Sequence, residues 1–274
     1  MNYRSLTASL ILTGLLGLAF ATRPAWAGES ANRLENGDFE TGQGNQAAGW
    51  SKFDGLIEFW DKAGKPGHCL RLDTSVLKVD KANFQKNAEA AKQRSRGSEY
   101  DTVGAHEGAW IFSLPITLQP DDQYFILEAD VMGPDRSSAF CYPQVLVRGY
   151  KKFDSAAEPG TSSFFQTPHE GGPAYSEQFG KATRPAQEGD YLMVYRNGLV
   201  CRQEEGGKWQ HYKLGLKLPK MAKFRPEVLL IKPYAMWPLG NYYFDNIVFR
   251  RVDKAAYDAA AKEGHSAKGF MPGE

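Results

Sequence analysis

Apolar and polar residues alternate along most of this chain. Tyr124 to Val131 puts Phe125, Leu127, Ala129 and Val131 on one side, with Glu128 and Asp130 on the other. That two-residue period is the mark of a half-buried antiparallel strand. The rhythm recurs at Val145–Arg148, Tyr191–Tyr195, His211–Leu218, Val228–Ile231 and Tyr242–Arg250, with shorter runs at Leu56–Trp60, Cys69–Asp73 and Trp110–Leu118. Gly133-Pro134-Asp135 closes one strand, and Asn197-Gly198 has the composition of a two-residue hairpin turn. Many short strands between turn residues predict an all-β sandwich.

Three segments break the pattern. Lys78 to Arg96 carries helix formers, with Asp80 as a cap and Phe84, Ala88 and Ala91 along one face. Asp154 to Gly189 is rich in Gly, Pro and Ser without steady periodicity, as an insertion on a rigid scaffold would be. Asp253 to Glu263 reads as a short alanine-rich helix that Gly264 ends. No internal repeat is visible, so the chain reads as one elaborated domain.

The N-terminal residues have a different logic. Arg4 precedes an apolar stretch from Leu6 to Phe20, and Ala25-Trp26-Ala27 supplies a small-x-small cleavage pattern. The stretch is short for a membrane span of roughly 20 residues. Residues 1–27 therefore read as a signal peptide of a secreted (periplasmic or extracellular) protein. Residues 28–252 form the expected sandwich and 253–274 the C-terminal helix and tail, with no membrane span after processing. A net charge of +1 argues against nucleic acid or a general anionic-membrane surface as partner. The three cysteines are Cys69, Cys141 and Cys201. Export permits a disulfide, for which Cys141 and Cys201 are the preferred pair; the other reading is three buried thiols.

Two short stretches at opposite ends carry a resemblance. Leu34-Glu35-Asn36-Gly37-Asp38-Phe39-Glu40-Thr41-Gly42 is followed by Gly49-Trp50, and Tyr242-Tyr243-Phe244-Asp245-Asn246-Ile247-Val248-Phe249 lies near the C-terminus. Together with Cys69–Asp73 and Gly207-Lys208-Trp209-Gln210, this arrangement resembles the galactose-binding-like jelly roll of many carbohydrate-binding modules. The resemblance spans residues 34–252 and implies a jelly-roll β-sandwich, here with a helical insertion and a short C-terminal helix. It also implies that the first and last strands lie side by side. A carboxylate from each would then give an oxygen cage for structural calcium, with Glu40 and Asp245 as ligands and Asp38 as a weaker third. Trp50 and Trp209 fall where such domains use tryptophan for packing.

Aromatic rings stack on the C–H faces of sugars, and polar groups fix orientation. Trp237, in the turn-rich Tyr234–Pro238 segment, leads the candidates for a polysaccharide or glycan. Trp110, Tyr150, Tyr195 and Arg148 follow on presumed strands, Arg148 and Arg196 as donors to hydroxyls or uronates. Alternation sets Val145 and Val147 on one face with Arg148 and Tyr150 opposite. Catalytic patterns are sparse. The chain has no G-x-S-x-G, H-E-x-x-H or phosphate-loop motif. Glu128 and Asp130 share a strand face, and His169, His211 and Tyr195 are conceivable parts of a lyase. The expected function is non-catalytic glycan binding; the alternatives are adhesion to another protein or a polysaccharide-degrading enzyme.

Overall fold

The computed structural model describes residues 30–84, 99–134, 143–153, 162–166, 175–177, 184–185 and 190–263. The signal-peptide reading, Cys141 and His169 lie outside these residues, as does most of the helix expected to reach Arg96. Chain order runs β1 (Gly42–Gln43), β2 (Gln46–Ala47), β3 (Glu58–Gly64), β4 (Gly67–Asp73), α1 (Lys78–Phe84), α2 (Val103–His106), β5 (Ala109–Trp110) and β6 (Ile116–Thr117). It continues through β7 (Tyr124–Met132), β8 (Gln144–Lys152), β9 (Ser162–Gln166), β10 (Tyr175–Glu177), β11 (Arg184–Pro185), β12 (Tyr191–Val200), β13 (Gln210–Lys217), β14 (Val228–Ala235), β15 (Asn241–Arg251) and α3 (Lys254–Glu263).

Apart from the β1–β2 ribbon, the strands form two sheets, a jelly-roll β-sandwich. One has the order β13-β7-β15-β4-β3. The other runs β11-β9-β10-β12-β8-β14-β5, with β6 also on β14. Its β10–β12 pairing is parallel, whereas its other pairings are antiparallel. Phe125, Leu127, Ala129 and Val131 of β7 enter the core between the sheets, as their alternation requires, against Val145, Val147, Leu229 and Ile231. Ile126 faces the other way and is covered by Val252 and by Tyr257 and Ala260 of α3. Gly215 permits that cover, since a Cβ there would sit 2.9 Å from the Tyr257 carbonyl oxygen.

The first described residues and the last strand do meet. Ser30 N donates to Arg251 O, Arg33 N to Phe249 O, and Ile247 N to Gly37 O. Asn32 completes this antiparallel run with its side chain, donating to Ile247 O at 3.0 Å and accepting from Phe249 N at 2.8 Å. Asn36 and Phe39 both adopt positive φ (53° and 55°), a costly conformation for a ring-bearing residue. The return is a fully buried Phe39, stacked on Trp50 at 4.9 Å. Trp50 is structural, as the resemblance implied, and its Nε1 donates to Asn36 O at 3.0 Å.

Several expectations need correction. Asn197-Gly198 is no hairpin turn: β12 runs through it, pairing Asn197 with Val147 and Gly198 with Leu146. Asn197 satisfies its own side chain locally, accepting from Gly198 N and donating to the Tyr195 hydroxyl, so turn-like composition yields to the ladder. The Trp110–Leu118 strand is split into β5 and β6. The 154–189 insertion contributes β9, β10 and β11 to one sheet edge. The Cys141–Cys201 disulfide is not formed, because Cys201 is a free buried thiol, as is Cys69; burial pushes both thiols up.

Gly37→Ala should lower stability by about 1–3 kcal/mol in urea unfolding, because its Cβ would meet the Ile247 carbonyl oxygen at 2.0 Å. Glu58 gives a pH test. Burial first, then the hydrogen bond and charge of Asp54, raise its carboxyl well above the usual 4.5. The fold therefore favours its protonated form, and this contribution is full below about pH 4.5 and lost as pH rises through the raised value. Glu58→Gln should melt higher than wild type at pH 8 and level with it near pH 4, by thermal denaturation.

Candidate functional site

Alternation divides the strands of the larger sheet between two faces. Leu229, Ile231 and Ala235 of β14 enter the main core, which leaves Val228, Leu230, Lys232 and Tyr234 facing away from it. On β8, Val145 and Val147 point inward, and Leu146, Arg148 and Tyr150 outward. Register aligns Tyr150 with Val228 and Met193, Arg148 with Leu230 and Arg196, and Tyr234 with Trp110. The outward face thus gathers Tyr150, Arg148, Arg196, Lys232, Tyr234 and Trp110.

This face is itself packed. Tyr150, Phe112, Met193, Val228 and Leu230 form a second apolar cluster, with Trp110 and Tyr191 against it. Lys232 is buried, and its Nζ lies 4.4 Å from the Trp110 ring centre, 5.0 Å from Phe112 and 5.9 Å from Tyr234. A desolvated ammonium over an aromatic face gains about 2 kcal/mol. A second ammonium, that of Lys81 on α1, lies 5.1 Å from the Trp110 ring and 3.5 Å from Glu107 Oε1. Trp110 is therefore a half-buried cation holder stacked at 6.5 Å on Tyr234.

At the end of β14 the chain offers a more open platform. Trp237 is half-buried, and its ring lies parallel to that of Tyr100, with centres 6.4 Å apart and planes within 9°. Tyr100 is 73% exposed. It sits in a single 3₁₀ turn, Glu99–Asp101, just before α2. The segment bearing Trp237 is held on both sides. Tyr242 Oη donates to Pro238 O at 2.5 Å, Gly240 N donates to Thr74 Oγ1 at 3.0 Å, and the Tyr234 hydroxyl reaches Met236 Sδ at 3.1 Å. Gly104 of α2 packs so closely under this segment that a Cβ would lie 2.5 Å from Met236 O. Trp237 on this braced loop and Tyr100 on the neighbouring 3₁₀ turn form a stacking surface, and the ordering cost of the loop is already met in the fold.

Of the residues picked from sequence, Trp237 has this open position, and Trp110 and Arg148 share the neighbouring outward face. Tyr150 and Tyr195 do not serve as sugar platforms. Tyr150 is 1% exposed inside the second cluster, and Tyr195 lies in the main core, its hydroxyl pushed up to about 12 by burial. Arg148 is buried as well. Alternation gives each of these residues a face but cannot reveal that both faces of this sheet are covered. Tyr100, Lys232 and Tyr234 were missed; Tyr234 had a signal in its turn-rich surroundings, Tyr100 none beyond its ring.

The calcium candidates lie on the other sheet. Asp245 is buried and accepts from Lys65 N at 2.6 Å and Asn246 N at 2.7 Å. Glu40 accepts from His68 N at 3.0 Å, so both carboxylates grip the turn between β3 and β4. Burial, with the Glu40 and Asp130 charges adding to it, pushes the Asp245 carboxyl up to about 6. An excess of negative charge on hard oxygens suits a divalent cation. Asp38 is exposed and makes none of these turn bonds. Among the described residues no three acidic, histidine or cysteine side chains cluster for a metal, so backbone carbonyls would have to supply the remaining ligands.

The would-be catalytic carboxylates are engaged with cations. Glu128 lies 3.3 Å from Arg250 and 3.4 Å from Lys213. Asp130 lies 3.8 Å from Lys65 Nζ, and it also contacts His211 Nδ1 at 2.9 Å and accepts from Asn246 Nδ2 at 3.1 Å.

No family model and no curated protein matches the sequence. Among solved structures the chain is similar to "Family 16 Carbohydrate Binding Module-2", at 16% identity and a TM-score of 0.40, over 80% of this chain and 99% of that one. It is also similar to the CBM22-2 xylan-binding domain from Paenibacillus barcinonensis Xyn10C, at 10% identity and a TM-score of 0.36, over 78% and 97% of the two chains. A third is the mannan-recognising module TmCBM27, at 12% identity and a TM-score of 0.27, over 82% and 96%. Among the described residues no helix is long and apolar enough to cross a membrane.

Proposed function

We propose that this protein is an exported carbohydrate-binding protein that acts without catalysis, holding a polysaccharide against the Trp237–Tyr100 platform. The observation that carries the reading is that parallel, partly open pair, Trp237 on its braced loop beside Tyr100. Sugars present alternating apolar C–H faces and hydroxyl rims, and an aromatic shelf captures the former without needing a deep pocket. The cation-paired state of Glu128 and Asp130 favours a structural role for both over glycosidic acid–base chemistry, which needs one carboxyl free to give a proton.

Affinity electrophoresis through gels of neutral and acidic polysaccharides tests this reading. One or more should retard the protein. Trp237→Ala and Tyr100→Ala should each weaken retardation about tenfold, a change of about 1.4 kcal/mol, with the thermal midpoint nearly unchanged. Full retention in both variants, no retardation on any polysaccharide, or release of new reducing ends would each count against it.

Calcium is the second part of the proposal. Glu40 and Asp245 would hold the ion with backbone carbonyls at the β3–β4 turn, where it would tie that hairpin to the last strand. With a dissociation constant of about 1 mM, ten millimolar calcium would add about 1.4 kcal/mol. The thermal midpoint should then rise by about 3–6 °C in wild type and stay put in Asp245→Asn. An equal rise in both would remove calcium from this corner.

A further inference from the structure

The near-zero net charge hides a local field. The β13–β14 connection reads Leu218-Pro219-Lys220-Met221-Ala222-Lys223-Phe224-Arg225-Pro226-Glu227, preceded by Lys217; its one acidic residue, Glu227, stands at the base against β14, where it accepts from Lys152 N at 3.3 Å. Lys217, Lys220 and Lys223 are exposed. None of the three has an ion-pair partner among the described residues. Between them stand Met221, 65% exposed, and Phe224, 43% exposed. Of the large apolar side chains exposed among the described residues, these two alone share a turn, closed by Phe224 N donating to Met221 O at 3.0 Å.

The loop is braced, not loose. Arg225 Nη2 donates to the carbonyls of Gln119, Pro120 and Asp122 at 3.1, 2.9 and 2.7 Å. Leu218 N donates to Gln123 O, and Leu118 N to Glu227 O. The fourth cation of the segment is thus spent on holding the base, while the three lysines and two apolar tips are presented outward. Exposing Met and Phe on a fixed turn costs solubility unless something covers them.

We infer that this loop docks onto an anionic phospholipid surface, Phe224 and Met221 entering the boundary between headgroups and acyl chains while Lys217, Lys220 and Lys223 contact lipid phosphates. The combination of apolar tips and unpaired lysines selects this partner. A soluble polyanion would use the lysines and leave the tips wet, and an uncharged apolar partner would use the tips and leave the lysines unmatched. The loop lies at the far end of β14 from Trp237, so the two surfaces do not compete for space.

Vesicle co-sedimentation tests the inference, using protein purified after export with its N-terminus sequenced. The two vesicle types are phosphatidylcholine alone and phosphatidylcholine with about 30% phosphatidylglycerol. Wild type should sediment with the anionic vesicles and remain in solution with the neutral ones. Each lysine near such a surface is worth about fivefold in binding, so Lys217→Glu/Lys220→Glu/Lys223→Glu should lose at least about 100-fold. Met221→Ser/Phe224→Ser, which keeps all charges, should lose at least about tenfold. Circular dichroism melts of both variants should overlay wild type, and any residual N-terminal contribution is common to all three proteins. The inference is overturned by equal binding to neutral vesicles, by no binding to anionic ones, or by Met221→Ser/Phe224→Ser binding as wild type. Equal retardation of wild type and Met221→Ser/Phe224→Ser in polygalacturonate, without vesicle binding, would instead assign the lysines to a soluble polyanion.

Discussion

The sandwich depends on one pairing, that of the N-terminal segment with β15. β15 carries a bulge between Asp245 and Val248, with Asn246 at positive φ. On its other edge β15 pairs with β4 only as far as Phe244, so ladder groups beyond that point lack a strand partner. Asn32 answers two of them at once, since a primary amide carries both the donor and the acceptor of a peptide unit. Gly37 is close enough to take the Ile247 N–H because it has no side chain. Arg33, anchored in the same run, makes a two-point ion pair with the fully buried Asp122 at 2.6 and 2.8 Å. Removing this segment would uncover Ile247 and Phe249 and strip the buried Asp122 of its two-point partner, leaving it the longer Arg251 contact at 3.6 Å, a combination costing several kcal/mol.

Because the segment closes the sandwich along β15, everything else can be arranged relative to a fixed frame. Phe39 and Trp50 fill the space under the entry turn, and Asp245 and Glu40 hold the β3–β4 turn from two sides. On the far sheet, burying both faces lets charged groups stand among aromatics. Lys232 is tolerable there only because three rings and further contacts replace its lost hydration. The same packing lends rigidity to β14 and so to the Trp237 loop that follows it.

The strands were legible where one face met water. β7 and β13 show clean alternation because their outward residues remain polar, such as Glu128, Asp130 and Lys213. The alliance of the two ends was also legible, through the resemblance that the stretches around Asn36-Gly37 and Asp245-Asn246 carry. Other features were not. Asn197-Gly198 looks like a turn, yet the β8 ladder that runs on through both residues outweighs a preference worth about 1 kcal/mol. Tyr150 and Tyr195 resemble binding residues because a tyrosine carries the same ring whether it is covered or not, and cover comes from elements distant in sequence. Tyr100 gained its place only through the fold, which brings it beside a residue more than a hundred positions away.

β14 links two different ends of the molecule. Eight residues of extended chain span roughly 25 Å, with the lysine-bearing loop before the strand and the aromatic shelf after it. The strand is bonded to β8 along most of its length, so this distance cannot fluctuate by more than a fraction of a sugar ring without unzipping the sheet. Geometrically the protein is a strut, and its length in residues fixes the stand-off between whatever rests at its foot and whatever lies on its head.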